Sequence, residues 1–70
     1  MIYQLALSLA ISPKAPREIT EKIEAASNAL AINAARELVL EYEHRFGAKS
    51  NQIKAELSMW EIIWINPAAL

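Results

Sequence analysis

The sequence predicts a small α+β domain of order ββαβ, an antiparallel sheet with one helix packed on one face. Three observations carry this reading. Apolar residues recur at period two over 2–11, at period 3.6 over 28–46, and at period two again from residue 52. The residues that punctuate chains fall where the period changes: Pro13 and Pro16, then Ser27, then Gly47, the single glycine. Finally, 70 residues with 54% hydrophobic side chains and no cysteine hold one domain, 1–70, which packing alone must stabilise. A chain of this length buries only about 60% of the surface its unfolded form exposes, so a partner chain is a natural support.

The first strand spans 2–11. Tyr3, Leu5, Leu7, Leu9 and Ile11 point one way, and Gln4, Ala6, Ser8 and Ala10 the other. Ser12-Pro13-Lys14-Ala15-Pro16 then forms a loop, because two prolines remove two amide donors and fix two φ angles. The second strand, 17–26, hairpins onto the first. Ile19, Ile23 and Ala25 share its apolar side, and Glu18, Thr20, Lys22 and Glu24 its polar side. Glu21 falls on the apolar parity, which suits an edge, where an inward charge opposes further pairing. The competing reading, one helix from 16 to 46, would run about 45 Å and outreach strands of about 30 Å.

Ser27 is the expected N-cap of a helix over 28–46, its hydroxyl placed to accept from a free amide of the first turn. Ala31, Ala34, Ala35, Leu38, Val39, Tyr42 and Phe46 form one apolar arc, with Asn33, Arg36, Glu37, Glu43 and His44 opposite. Gly47 then supplies the left-handed residue that ends a helix. Nineteen residues give about 28 Å, a match for the strands. A last strand is expected over 52–65, with Ile53, Ala55, Leu57 and Met59 alternating against Lys54, Glu56, Ser58 and Trp60. Ile53, Leu57, Trp60 and Trp64 also have helical spacing, so a helix competes here. From Trp60 the alternation fails, and Pro67 ends the element.

Charge narrows the functional classes. Seven Lys and Arg face eight Asp and Glu, and they balance segment by segment: three against three over 1–26, two against three over 27–46, two against two over 47–70. Nucleic-acid binding draws on a basic stripe that displaces phosphate counterions, and none exists, so nucleic acid is not the expected partner. No run approaches the ~18 apolar residues of a membrane span. Ile2–Ile11 has the greasiness of a signal core but no preceding Lys or Arg, and its polar positions alternate. The expectation is a cytoplasmic protein without a membrane partner.

Little in the chain points to catalysis. His44 is the single histidine; Glu37, Glu41 and His44 share a helix face, but the same spacing pairs Glu41 with Arg45, an ordinary surface ion pair. One glycine cannot build a phosphate-cradling loop. Glu18, Glu21 and Glu24 are interleaved with Arg17 and Lys22 as a salted surface, and Ser27 is spoken for as a cap. The chain therefore reads as a non-enzyme with no cofactor and no metal.

Trp60 and Trp64 carry the functional signal. On a single strand, four residues apart, they share one face with Ile62 between them. On a sheet with one helix-covered face, that places an aromatic–aliphatic patch on the open face, a usual contact surface. The same two residues read equally well as core. Leu40, among Asn33, Arg36 and His44 on the polar side of the helix, adds a second exposed apolar group. Trp60, Ile62, Trp64 and Leu40 are thus the expected protein-binding residues.

Lys22-Ile23-Glu24-Ala25-Ala26-Ser27, followed by Ala29, Ile32, Ala34 and Ala35, runs a strand through a Ser cap into an Ala-rich helix. Over about residues 17–60 this pattern resembles small phage-encoded inhibitors of host machinery, among them anti-CRISPR proteins and phage inhibitors of bacterial RNA polymerase. The resemblance implies a non-enzymatic phage or mobile-element inhibitor that occludes a host protein complex in the host cytoplasm, without cofactor or turnover. The alternative is a small self-associating structural or regulatory module, a homodimer.

Overall fold

The computed structural model describes residues 1–10 and 17–69. Its elements are β1 (Ile2–Leu9), β2 (Arg17–Glu24), α1 (Asn28–Phe46), a 3-10 turn (Ser50–Gln52), β3 (Ile53–Ser58), β4 (Ile62–Ile65) and a second 3-10 turn (Pro67–Ala69). The α+β class is as the sequence predicts, with every strand pair antiparallel and one helix. The strand expected over 52–65 is two strands, however. Met59, Trp60 and Glu61 reverse the chain, and β4 folds back on β3, giving a four-stranded sheet in the order β2-β1-β3-β4.

Period two in β1 becomes burial directly. Tyr3, Leu5, Leu7 and Leu9 are buried on the helix side, and Gln4 and Ala6 are exposed on the other. β2 pairs with β1 from Ile2↔Glu24 to Leu9↔Arg17, which establishes the hairpin, while Ile11 and the Ser12–Pro16 loop lie outside the described residues. Ile53, Ala55 and Leu57 of β3 complete the buried sheet face.

α1 begins and ends where its caps say. Ser27 has extended backbone and its Oγ accepts from the Leu30 amide at 3.3 Å; Gly47 takes φ 63°, and its amide donates to the Glu43 carbonyl. Ala31, Ala35, Val39 and Tyr42 face the sheet in full burial, with Ala34, Leu38 and Phe46 half-buried beside them. Small alanines at the contact let the helix lie close to the strands. Two hydroxyls fasten the layers. Tyr3, buried on β1, donates to Asn28 Oδ1 at 2.7 Å, and Tyr42 on α1 donates to Glu21 Oε1 at 2.5 Å. Glu21 thus sits inward on an edge strand, with a hydroxyl partner that the sequence reading did not supply.

The C-terminal segment is pinned by Asn66, the one buried polar residue among those described. Its Nδ2 donates to the carbonyls of Ile53 (2.7 Å) and Ser50 (3.3 Å), and its own amide donates to the Ala55 carbonyl. Pro67 follows and ends the ladder, since it brings no amide hydrogen.

Candidate protein-binding surface

The reversal after β3 decides where the aromatic residues go. Trp60 stands at its tip with 93% of its surface exposed. Trp64, in β4, pairs with buried Leu57 and therefore faces the helix, where it packs half-buried against the core. The two tryptophans do not share a strand face, because a turn and a bulge separate them. The register slips between Leu57 and Ser58, so one extra β4 residue is accommodated. Ile62 and Ile65 then oppose Ser58 and Glu56 on the open face, and Ile63 and Trp64 pack inward. This bulge is the physical cause of the failed alternation after Trp60.

Nor does the open sheet face carry the expected aromatic patch. Its centre is Gln4, Ala6 and Ser8, flanked by Glu18, Thr20, Lys54 and Glu56; the apolar groups sit at its rim. Ile62 is 53% exposed and Ile2 64%. Topology gathers further apolar side chains at this end of the domain, where β1 starts, α1 starts and β3 turns. The β1–β3 ladder ends at Gln4↔Ser58, so Ile2 lies beyond it toward Trp60; Met1, Leu30 and Met59 are exposed at the same end.

Leu40 and Trp64 meet elsewhere. They line a shallow crevice of about 240 Å³ between α1 and the C-terminal segment, with Val39, Glu43, Asn66 and Pro67. Leu40 is largely exposed, as expected from its place opposite the apolar arc. The four residues singled out in the sequence thus fall into two sites: Trp60 with Ile62 around the turn, and Trp64 with Leu40 in the crevice. Sequence reasoning missed Met59, Ile2 and Leu30, whose common end depends on the long-range pairing of β1 with β3.

Electrostatics at the turn are weak. Glu61 is the neighbouring charge in the reversal, and the Glu41–Arg45 ion pair (2.9 Å) lies on the exposed side of the helix. Among the described residues, no helix is long and apolar enough to cross a membrane, and no three metal-ligating side chains converge. The Tyr42 hydroxyl has its pKa raised above the ordinary value by its hydrogen bond to Glu21, and further by burial and the Glu21 charge. Comparison with protein-family models, curated proteins and solved structures returns no match.

Proposed function

We propose that this chain is a non-enzymatic binding protein that docks on a partner protein through Trp60 and Ile62, and that it acts by occlusion as small phage inhibitors of host complexes do. One observation carries the reading: Trp60 has the largest apolar side chain in the sequence's repertoire and keeps 93% of it in water at the tip of a hairpin. A tryptophan there contributes almost nothing to the fold, whereas tryptophan is among the residues that dominate interface energies. The apolar rim of Ile62, Ile2 and Met59 extends the surface around it. The phage-inhibitor pattern supplies the partner class, a protein complex of a bacterial host in its cytoplasm.

The test couples capture to folding. Wild-type protein immobilised in bacterial lysate should retain a defined protein complex, identified by mass spectrometry. Trp60→Ala and Ile62→Ala should keep the wild-type circular dichroism and melt, while Trp60→Ala weakens capture about thirtyfold, the consequence of losing ~2 kcal/mol at a hot spot. Equal capture by folded Trp60→Ala overturns the proposal.

A further inference from the structure

The opposite edge of the sheet carries a second surface. β2 is the outer strand, eight residues long, and among the described residues nothing pairs with its free side. The phase of its hydrogen bonding is fixed by two contacts. The Ala25 amide donates to the Met1 carbonyl, and the Ala10 amide to the Gln52 carbonyl. Antiparallel ladders alternate, so odd residues of β1 bond to β2 and even ones to β3. Ile19, Glu21 and Ile23 therefore spend their backbone groups on β1. Glu18, Thr20, Lys22 and Glu24 aim their N–H and C=O groups outward, ready to accept another strand.

We propose that a second copy of this chain pairs there, β2 against β2, about a twofold axis through Thr20. In that register Thr20 faces its own copy, and Glu18 and Lys22 face Lys22 and Glu18 of the other chain. All three are hydrogen-bonded pairs made from the outward groups, and the charged ones carry opposite signs. The axis stands perpendicular to the sheet, so the two sheets merge into one with both helices on the same side.

Neighbouring registers are rejected by the same sequence. A shift of two residues one way sets Glu18 against Glu24 and Glu21 against its own copy. A shift the other way sets Glu18 against Thr20 and carries Lys22 past the start of the other copy's β2 at Arg17, so both Glu18–Lys22 pairs are lost. Glu21 is the inward charge that would ordinarily guard this edge, but its carboxylate is already engaged by the Tyr42 hydroxyl of its own chain. Arg17 is likewise turned inward, its guanidinium 5.0 Å from the centre of the Phe46 ring. On the helix side, the register sets Ile19 and Ile23 against the stems of these two residues. β4 offers no equal edge, being four residues long, bulged and ended by Pro67. This surface is independent of the partner surface at Trp60, which lies beyond the opposite strands of the sheet.

The chain has no cysteine, so single cysteines report the register cleanly. Opposed Cα atoms in a hydrogen-bonded pair lie about 5.5 Å apart, within disulfide range. Thr20→Cys should oxidise rapidly to a disulfide dimer. Glu24→Cys should not, because the two copies of residue 24 would stand about 27 Å apart. In sedimentation equilibrium the wild type should associate to twice its 7.8 kDa. Lys22→Glu should weaken association about tenfold or more, by placing like charges opposite each other twice, and adding Glu18→Lys should restore it. Trp60→Ala should associate like wild type. A wild type monomeric at every concentration, equal cross-linking at positions 20 and 24, or failure of the double charge reversal to rescue overturns the proposal, whatever the fate of binding at Trp60.

Discussion

Truncating each tryptophan separately gives the sharpest test of the structure, because the fold assigns them opposite duties. A buried tryptophan hides about 150–250 Å². Trp64 is half-buried against the core, so on the order of 100–150 Å² of contact is lost in Trp64→Ala. At ~25 cal/mol per Å² this is about 3 kcal/mol, an upper figure because the unfolded chain is not fully extended. Trp60, 93% exposed, hides on the order of 20 Å², worth about 0.5 kcal/mol. Total stability for 70 residues is roughly 3.5–10 kcal/mol. Trp64→Ala therefore removes a large share of it, and Trp60→Ala a share near the error of a melt. Urea unfolding followed by circular dichroism measures both. Fluorescence adds an internal check, since each variant retains one tryptophan. Trp64 alone should shift its emission to the red on unfolding, and Trp60 alone should scarcely change. A loss above ~1 kcal/mol in Trp60→Ala, or an unchanged midpoint in Trp64→Ala, refutes the assignment of one to the turn and the other to the core.

Three further outcomes follow from single contacts. Ser27→Ala should cost about 0.5–2 kcal/mol by thermal melting while Ser27→Asp is close to neutral, since an oxygen must accept from the Leu30 amide. Asn66→Ala should cost about 1–3 kcal/mol in the same assay, as the buried carbonyl of Ile53 loses its side-chain donor. Tyr42, with a pKa raised above 10.0 by its bond to Glu21, binds its proton more tightly folded than unfolded. Its contribution is complete below the unfolded value and is lost as pH climbs through the folded one. A stability–pH series from 8 to 12 should accordingly fall more steeply for wild type than for Tyr42→Phe, and parallel curves would remove the Tyr42–Glu21 bond from the account.

Much of this architecture is local chemistry and was legible as such. β1 reads its burial from side-chain parity, and α1 is bracketed by a serine that accepts an amide and a glycine at positive φ. Glu21 was legible as an inward charge on an edge strand, but its partner was not, because Tyr42 reaches it across 21 residues of sequence. Asn66 left a fainter trace. Asn followed by Pro marks a chain that stops pairing, yet nothing local says that the amide bridges the carbonyls of Ser50, in the 3-10 turn, and Ile53, at the start of β3.

The turn at Met59–Glu61 was illegible for a physical reason, and that reason bears on function. Sequence readers find reversals by glycine, asparagine or aspartate, which supply positive φ at low cost. No residue of this reversal has positive φ, since Gly47 alone among the described residues adopts it. The backbone therefore imposes no residue type at position 60, and neither does packing, because Trp60 touches so little of the domain. A site free of both constraints accepts a small polar residue without loss, and such residues are the ordinary occupants of exposed turns. Tryptophan there adds apolar surface that water disfavours and the fold does not use. The Leu57/Ser58 slip compounds the effect: it sends Trp64 inward to serve the core and leaves Ile62 outward beside Trp60. Folding thus accounts for one tryptophan and not for the other, and the unexplained one, with Ile62, is where we propose that a partner makes its contact.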